Sequence, residues 1–321
     1  MSAMRMMAGA SLLVLGLTVA ACGGGVDSTP TPTPTPTETP TPSPSPVVPY
    51  ITVAEAFASP SNKIFRSGGV TWSKTGTADA TGHKNFAFGT AFVVGYNETT
   101  DTYKVTPVSF GSSASGTALD AVEFPIGSAT PGATSSFTKT TSGVTDTFNI
   151  AIPQVASVPL SYTMLFDFTR STSSTGKVER WLTVGGIPTQ SGDMPRTGSA
   201  TYNMMVDGSA TRDGDSKTYM LGGLSSGTFS ANFADSKITT TLNLKGEATG
   251  GATSDFGTVN GTSTFISGSP VFGGELTGAN STKGAFSGSF FGPQAGEVGY
   301  SWYFLGSDFD AQGFAAGKKQ E

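Results

Sequence analysis

Along most of this chain apolar and polar residues alternate with a period of two, and stripes of helical period are hard to find. In Lys84–Tyr96 the even positions Phe86, Phe88, Phe92, Val94 and Tyr96 are apolar. In Leu160–Thr169 the even positions Leu160, Tyr162, Met164, Phe166 and Phe168 form one face, with Ser161, Thr163, Asp167 and Thr169 opposite. One buried and one wet face marks an antiparallel sheet. Only Val53–Ala58 reads as a short helical turn. The chain is predicted to be all-β.

Two stretches of this pattern separate near Ile187–Arg196, where Gly185-Gly186, Pro188, Gly192 and Pro195 interrupt it. In the first, strands are divided by long Ser/Gly/Thr loops such as Gly111–Ala118 and Gly127–Ser136. In the second, eight shorter strands are predicted: Ser199–Val206, Lys217–Leu224, Gly227–Phe233, Lys237–Lys245, Ser254–Val259, Thr262–Ser267, Gly284–Phe290 and Val298–Leu305. Turn signals at Asp207-Gly208, Asp213-Gly214 and Asn260-Gly261 link them. This spacing favours a small closed barrel, which removes exposed strand edges, over an open sandwich. Glycines within strands, as in Gly284-Ala285-Phe286-Ser287-Gly288, let a curved sheet bend and admit neighbouring rings. A lipid-facing barrel strand needs ~10 residues with every second side chain apolar. Lys237–Lys245 and Val298–Leu305 approach that, but Gly227–Phe233 and Ser254–Val259 are too short or too polar. The expectation is therefore a water-soluble, eight-stranded antiparallel barrel. Tyr300, Trp302 and Phe304 share parity on its last predicted strand and are expected to fill its interior.

The N-terminal residues follow a different logic. Arg5 precedes the apolar segment Ala8–Ala21, which is shorter than the roughly 20 residues a membrane-spanning helix needs. It ends in Leu17-Thr18-Val19-Ala20-Ala21-Cys22, the pattern of a bacterial lipoprotein signal. Residues 1–21 are then a cleaved signal peptide, and Cys22 becomes a mature N-terminus carrying acyl chains, palmitate among them. A multiply acylated cysteine holds a protein on a membrane stably. An ordinary signal cut near Ala20-Ala21 is the competing reading. Residues 22–49 read as a lipidated Gly/Pro/Thr-rich tether. Proline keeps Thr29–Pro49 out of sheets and helices, and at about 3.1 Å per residue this stretch could span up to ~65 Å.

Composition narrows the function. Charged residues make up 13% of the chain and the formal net charge is −5, with no basic cluster, which argues against nucleic-acid binding. Cys22 is the only cysteine, so no disulfide framework can form. With one histidine besides, a His/Cys zinc site is excluded, and no metal or cofactor is expected.

Gly223-Leu224-Ser225-Ser226-Gly227 matches a hydrolase nucleophile elbow, but that elbow opens a helix and needs a downstream histidine. His83 lies upstream, and Gly227–Phe233 reads as a strand, so a hairpin turn fits better. Lys74-Thr75-Gly76 and Ser174-Thr175-Gly176-Lys177 mimic two elements of serine β-lactamases in reversed order, without the helix that would carry the serine. Asp207, Asp213 and Asp215 cluster around a turn but lack the spacing of an EF-hand loop, and read as solvated turn residues. No P-loop sequence occurs. His83, in the polar loop Asp79–Lys84, reads better as an exposed residue without a ligand than as a haem ligand. No catalytic constellation can be assembled, and the chain is not expected to be an enzyme.

Two segments carry a resemblance. Gly185-Gly186-Ile187-Pro188-Thr189 followed by Asp193-Met194-Pro195-Arg196-Thr197-Gly198-Ser199-Ala200-Thr201-Tyr202 resembles the entry into the barrel of the transferrin-binding protein B family. Lys283–Gly299 resembles that family's penultimate hairpin, a Gly-x-Phe-x-Gly-x-Phe strand (Gly284–Phe290) meeting a Gly-Pro-x-Ala-x-Glu-ϕ-Gly turn (Gly292–Gly299). The resemblance implies a β-rich handle domain over 50–190, an eight-stranded barrel over 195–306 and a C-terminal tail over 307–321. The chain departs from transferrin-binding protein B, which has two lobes, in having room for only one.

By the same resemblance the protein is a lipid-anchored outer-membrane lipoprotein at the cell surface, and a ligand-binding module. The implied ligand is an iron- or haem-carrying protein, and the implied neighbour a TonB-dependent outer-membrane receptor. Relatives bind transferrin, complement factor H or haem-carrying proteins through variable loops, so no ligand-contacting residue can be carried over. Cys22, the lipid attachment site, is the one site residue assigned. The alternative is a structural or adhesive surface lipoprotein with no nutrient role.

Overall fold

The computed structural model describes residues 48–76, 80–109 and 117–321. A helix, α1 (Val53–Ala58), comes first. Twelve strands follow: β1 (Lys63–Arg66), β2 (Gly68–Thr75), β3 (Thr81–Phe86), β4 (Val93–Asn97), β5 (Thr102–Thr106), β6 (Val122–Pro125), β7 (Ser135–Thr141), β8 (Val144–Ala151), β9 (Gln154–Val155), β10 (Val158–Pro159), β11 (Thr163–Thr172) and β12 (Lys177–Gly186). Nine more complete the chain: β13 (Ser199–Arg212), β14 (Thr218–Met220), β15 (Ser226–Asn232), β16 (Lys237–Ala248), β17 (Thr253–Thr264), β18 (Val271–Gly278), β19 (Ser281–Phe291), β20 (Glu297–Gly306) and β21 (Phe309–Lys319).

The predicted helical turn is present because its ends are built for it. Thr52 caps the backbone of Glu55, and the Glu55 carboxylate accepts in return from the Thr52 backbone N–H. Val53, Ala56 and Phe57 point inward, and Phe57 stacks on Phe65 with ring centroids 5.2 Å apart.

β1–β12 form two main sheets packed face to face. One has the order β1-β4-β5-β6 and the other β3-β2-β12-β11-β8-β7, all neighbours antiparallel. Between them lies an aromatic core that includes Phe65, Phe86, Tyr103, Phe124, Phe148, Phe166, Phe168 and Trp181. The Tyr103 hydroxyl sits inside this core, where burial pushes its pKa up to about 12 while it accepts from the Gly132 N–H. The six-stranded sheet has a second packed face: Val70, Leu165, Leu182 and Val184 lie against Phe291, Tyr303 and Phe314 of the later strands. This changes the expectation for Leu160–Thr169. At the start of β11, Thr163, Met164, Leu165 and Phe166 are all buried, because a third layer covers the face expected to be wet.

β13–β21 make one nine-stranded antiparallel sheet that closes on itself through β13 and β21, paired from Tyr202↔Lys319 to Arg212↔Phe309. β14 and β15 both lie between β13 and β16, so the nine strands form eight staves around the ring. Phe229, Phe286, Phe290, Tyr300, Trp302 and Phe304 fill the interior, which is where the parity of the last three placed them. The outward positions of β16 are Lys237, Thr239, Thr241, Asn243, Lys245 and Glu247, a polar face unsuited to acyl chains.

Several boundaries differ from expectation. Ser254–Val259 and Thr262–Ser267 were expected as two strands joined at Asn260-Gly261, yet β17 runs straight through both. Gly261 is there for space: a Cβ would collide with Thr240, Leu276 and the Phe286 ring. Asp207-Gly208 also lies within a strand, β13, where Gly208 takes a φ of +151° and a Cβ would collide with the Gln312 carbonyl oxygen. Asp213-Gly214 is a true turn. β18 was not anticipated, and the expected tail 307–321 is instead β21, which closes the ring. Its inward side chains include Ala311 and Ala315, small residues opposite large rings, so the strand lacks the β-branched signature that sequence reading relies on. Of the loop Gly111–Ala118, residues 111–116 lie outside the described residues.

Glycine at position 288 is a steric requirement. A Cβ there would overlap the Gly299 carbonyl oxygen and Tyr300 on the neighbouring strand. Gly288→Ala is expected to destabilise the protein by about 1–3 kcal/mol, the range for overpacking. A urea denaturation midpoint equal to wild type would show that the strands can part there without cost.

Candidate functional site at the sandwich–barrel seam

The seam between the six-stranded sheet and the barrel is stitched by polar contacts as well as packing. Asn85 Nδ2 donates to the Phe286 carbonyl (3.0 Å) and Ser287 Oγ to the Phe86 carbonyl (2.6 Å). The two segments that carried the family resemblance meet here. Thr189 N–H donates to the Phe290 carbonyl and its hydroxyl to the Gly292 carbonyl. Gly292, at φ +68°, turns the chain into a one-turn 3-10 helix, Pro293–Ala295. That turn is held by Tyr202, whose hydroxyl donates to the Ala295 carbonyl, and by Asp193, which accepts from Gln294 N–H.

Glu297 follows directly. Its carboxylate accepts from Ser161 N–H (2.7 Å), Tyr162 N–H (3.0 Å) and Thr163 Oγ (2.9 Å), clamping the start of β11 to the barrel. Burial pushes its pKa above the ordinary glutamate value, against the three donors and the field of Lys318.

His83 is not where sequence reading put it. It lies on β3, 6% exposed, with its ring 5.4 Å from that of Tyr303 and Nε2 3.4 Å from Gln312 Oε1. Burial lowers its pKa, with Lys283 adding in the same direction and the Gln312 contact opposing, so the imidazole is neutral at physiological pH. Gln312 Nε2 in turn donates to Ser209 Oγ (3.3 Å), so the histidine is part of the seam.

Beyond Gln312 the two layers part and leave a cleft of about 280 Å³. Arg180 on β12 makes a bidentate pair with Asp167 on β11, Nε to Oδ1 and one terminal nitrogen to Oδ2, both at 2.8 Å. Asn149 Nδ2 lies 3.4 Å from the same Oδ2. Burial works against the Arg180 charge, but Asp167 and, across the cleft, Asp207 outweigh it and raise its pKa. Asp207 Oδ1 accepts from the Gly208 N–H at 2.7 Å. Sequence reading missed this group because Asp167 fell on a face taken to be wet and Asp207 on a supposed turn. The available signal was that Arg180 shares the parity of Leu182 and Val184 on β12. At the other end of the seam a more open hollow of about 510 Å³ is rimmed by Ile266, 79% exposed.

The remaining sequence candidates resolve structurally. Ser225 is fastened to β16, its Oγ donating to the Lys245 carbonyl and accepting from the Lys245 N–H. Lys74-Thr75-Gly76 and Ser174-Thr175-Gly176-Lys177 do come together, through Gly76 N–H to the Gly176 carbonyl and the pairing Thr75↔Lys177, as paired strand ends. Lys177 is engaged by Glu179 at 2.7 Å. Asp207, Asp213 and Asp215 do not converge: Asp215 accepts from the Tyr219 hydroxyl while Asp207 faces the cleft. Among the described residues no group of three or more His, Cys, Asp or Glu side chains is arranged to hold a metal. Cys22 lies outside the described residues.

The fold thus defines a β-sandwich joined along one sheet to a filled, eight-staved barrel. No family model and no curated protein matches the chain. Among solved structures it is similar to isotype 1 transferrin binding protein B from serogroup B Neisseria meningitidis, with 17% identity over 79% of this chain and 44% of that one, at a TM-score of 0.41. It is similar also to a transferrin binding protein B double mutant from Haemophilus parasuis, with 12% identity over 79% of this chain and 59% of that one, at 0.41. The N-lobe domain of lactoferrin binding protein B of Moraxella bovis matches with 16% identity over 58% of this chain and 80% of that one, at 0.31. The chain spans about half the length of the first two structures.

Proposed function

We propose that this protein is a surface-displayed, lipid-anchored binding module that captures a protein ligand on the outer faces and loops of a rigid β scaffold. The observation that carries this reading is the filled barrel. Phe229, Phe286, Phe290, Tyr300 and Trp302 occupy its interior, so it serves as a framework and recognition falls to its outside. In this reading residues 1–21 are removed, Cys22 carries the acyl chains, residues 22–49 form the tether and 50–190 act as the handle beside the barrel. The ligand class to test first is the one the motif resemblance implies, an iron- or haem-carrying protein delivered to a TonB-dependent receptor in the outer membrane.

Two measurements test this. Cys22→Ala is expected to move the protein from the membrane pellet to the soluble fraction, and continued sedimentation with membranes would remove the anchor from the proposal. Immobilised full-length protein is expected to bind iron-loaded transferrin, lactoferrin or haemoglobin saturably. Failure with all three would discard the iron-source reading and leave the adhesive or structural one.

A further inference from the structure

We infer that the cleft between β11–β12 and the barrel wall binds a protonated amine or guanidinium carried on an aliphatic stem. The first argument is charge. Asp167 and Asp207 face one guanidinium, Arg180, so the cleft carries a net negative charge. Arg180 already directs two donors at the two oxygens of Asp167. Asp207 holds only the Gly208 N–H, through Oδ1, and among the described residues no side chain donates to it. An incoming cation completes an alternating row of charges. An incoming anion would meet two carboxylates before it reached the arginine.

The second argument is shape. Leu165, Leu182 and Phe314 form apolar walls beside the charged group, as expected of a site that takes an apolar body with a polar head. Met220 makes the lip; it is 55% exposed, and its unbranched thioether side chain can refit around an entering chain. At about 280 Å³ the cleft is just below the range of about 300–1,000 Å³ usual for drug-sized ligands, which suits a single small group. A free diamine and the side chain of a lysine or arginine share this chemistry. The inference does not depend on the ligand class proposed above.

The test is calorimetric titration of the full chain at low salt with four probes: 1,5-diaminopentane, the capped tripeptide acetyl-Gly-Lys-Gly-amide, 1-pentanol and hexanoate. The diamine, the tripeptide or both are expected to bind at least tenfold more tightly than the alcohol and the carboxylate. Binding of the diamine alone identifies a free amine as the ligand type, and tripeptide binding identifies a protein side chain. Asp207→Asn is expected to weaken cation binding at least tenfold, and Asp207→Glu to retain it. Met220→Trp, on the exposed lip, is expected to block entry without altering the melting temperature and serves if Asp207→Asn does not fold. No cation binding, equal binding of hexanoate, or undiminished binding in both Asp207→Asn and Met220→Trp would overturn the inference.

Discussion

Trp302→Ala is expected to destabilise the protein by about 3–5 kcal/mol, the cost of removing a large aromatic side chain from a packed core. Trp302 is fully buried in the barrel interior with Tyr300 and Phe304. The staves around it are hydrogen-bonded into a closed ring and cannot collapse into the space, so the lost contacts are not recovered. Trp302→Phe is the informative partner. The indole Nε1 is buried and has no hydrogen-bond partner among the described residues, so phenylalanine removes an unsatisfied donor while leaving a smaller void. Its loss should be clearly smaller than that of alanine. Urea denaturation followed by circular dichroism measures both, and an alanine variant within about 1 kcal/mol of wild type would contradict a packed interior.

Glu297→Ala is expected to cost about 2–4 kcal/mol, because the Ser161 and Tyr162 N–H groups lose their acceptor at a buried junction. The pH dependence has a definite sign. The folded-state pKa of Glu297 is raised by burial, so between the ordinary glutamate value and that raised value the folded state binds more protons than the unfolded one. The Glu297 contribution is therefore greatest below the ordinary value and declines as pH rises through the window. The stability gap between wild type and Glu297→Ala should narrow across that window and stay flat above it. A gap that widens with rising pH would mean that the three donors, not burial, dominate.

How much of this was legible in the sequence depends on what each residue answers to. Alternation identified the strands around Phe166 and Tyr300 because their large core-filling side chains fall at every second position. Alternation cannot show a second packed layer, so Thr163 and Asp167 were assigned to a wet face that the barrel wall covers. Dipeptide turn signals failed at Asn260-Gly261, where glycine answers to the rings around it. The Gly-Pro-x-Ala-x-Glu turn was visible as a motif. That its glutamate reaches back more than a hundred residues to Ser161 was not, because nothing local in either segment records the contact.

The pairing of β13 with β21 has a consequence for how the protein is made. Tyr202 finds its partner in Lys319, so the ring stays open until β21 has emerged. Contacts this distant in sequence form slowly, and until they form both flanking strands expose bare hydrogen-bonding edges. A chain emerging from its N-terminal side would therefore complete the sandwich first and hold an unfinished barrel beside it. In that interval a chaperone that shields strand edges would have most effect on yield.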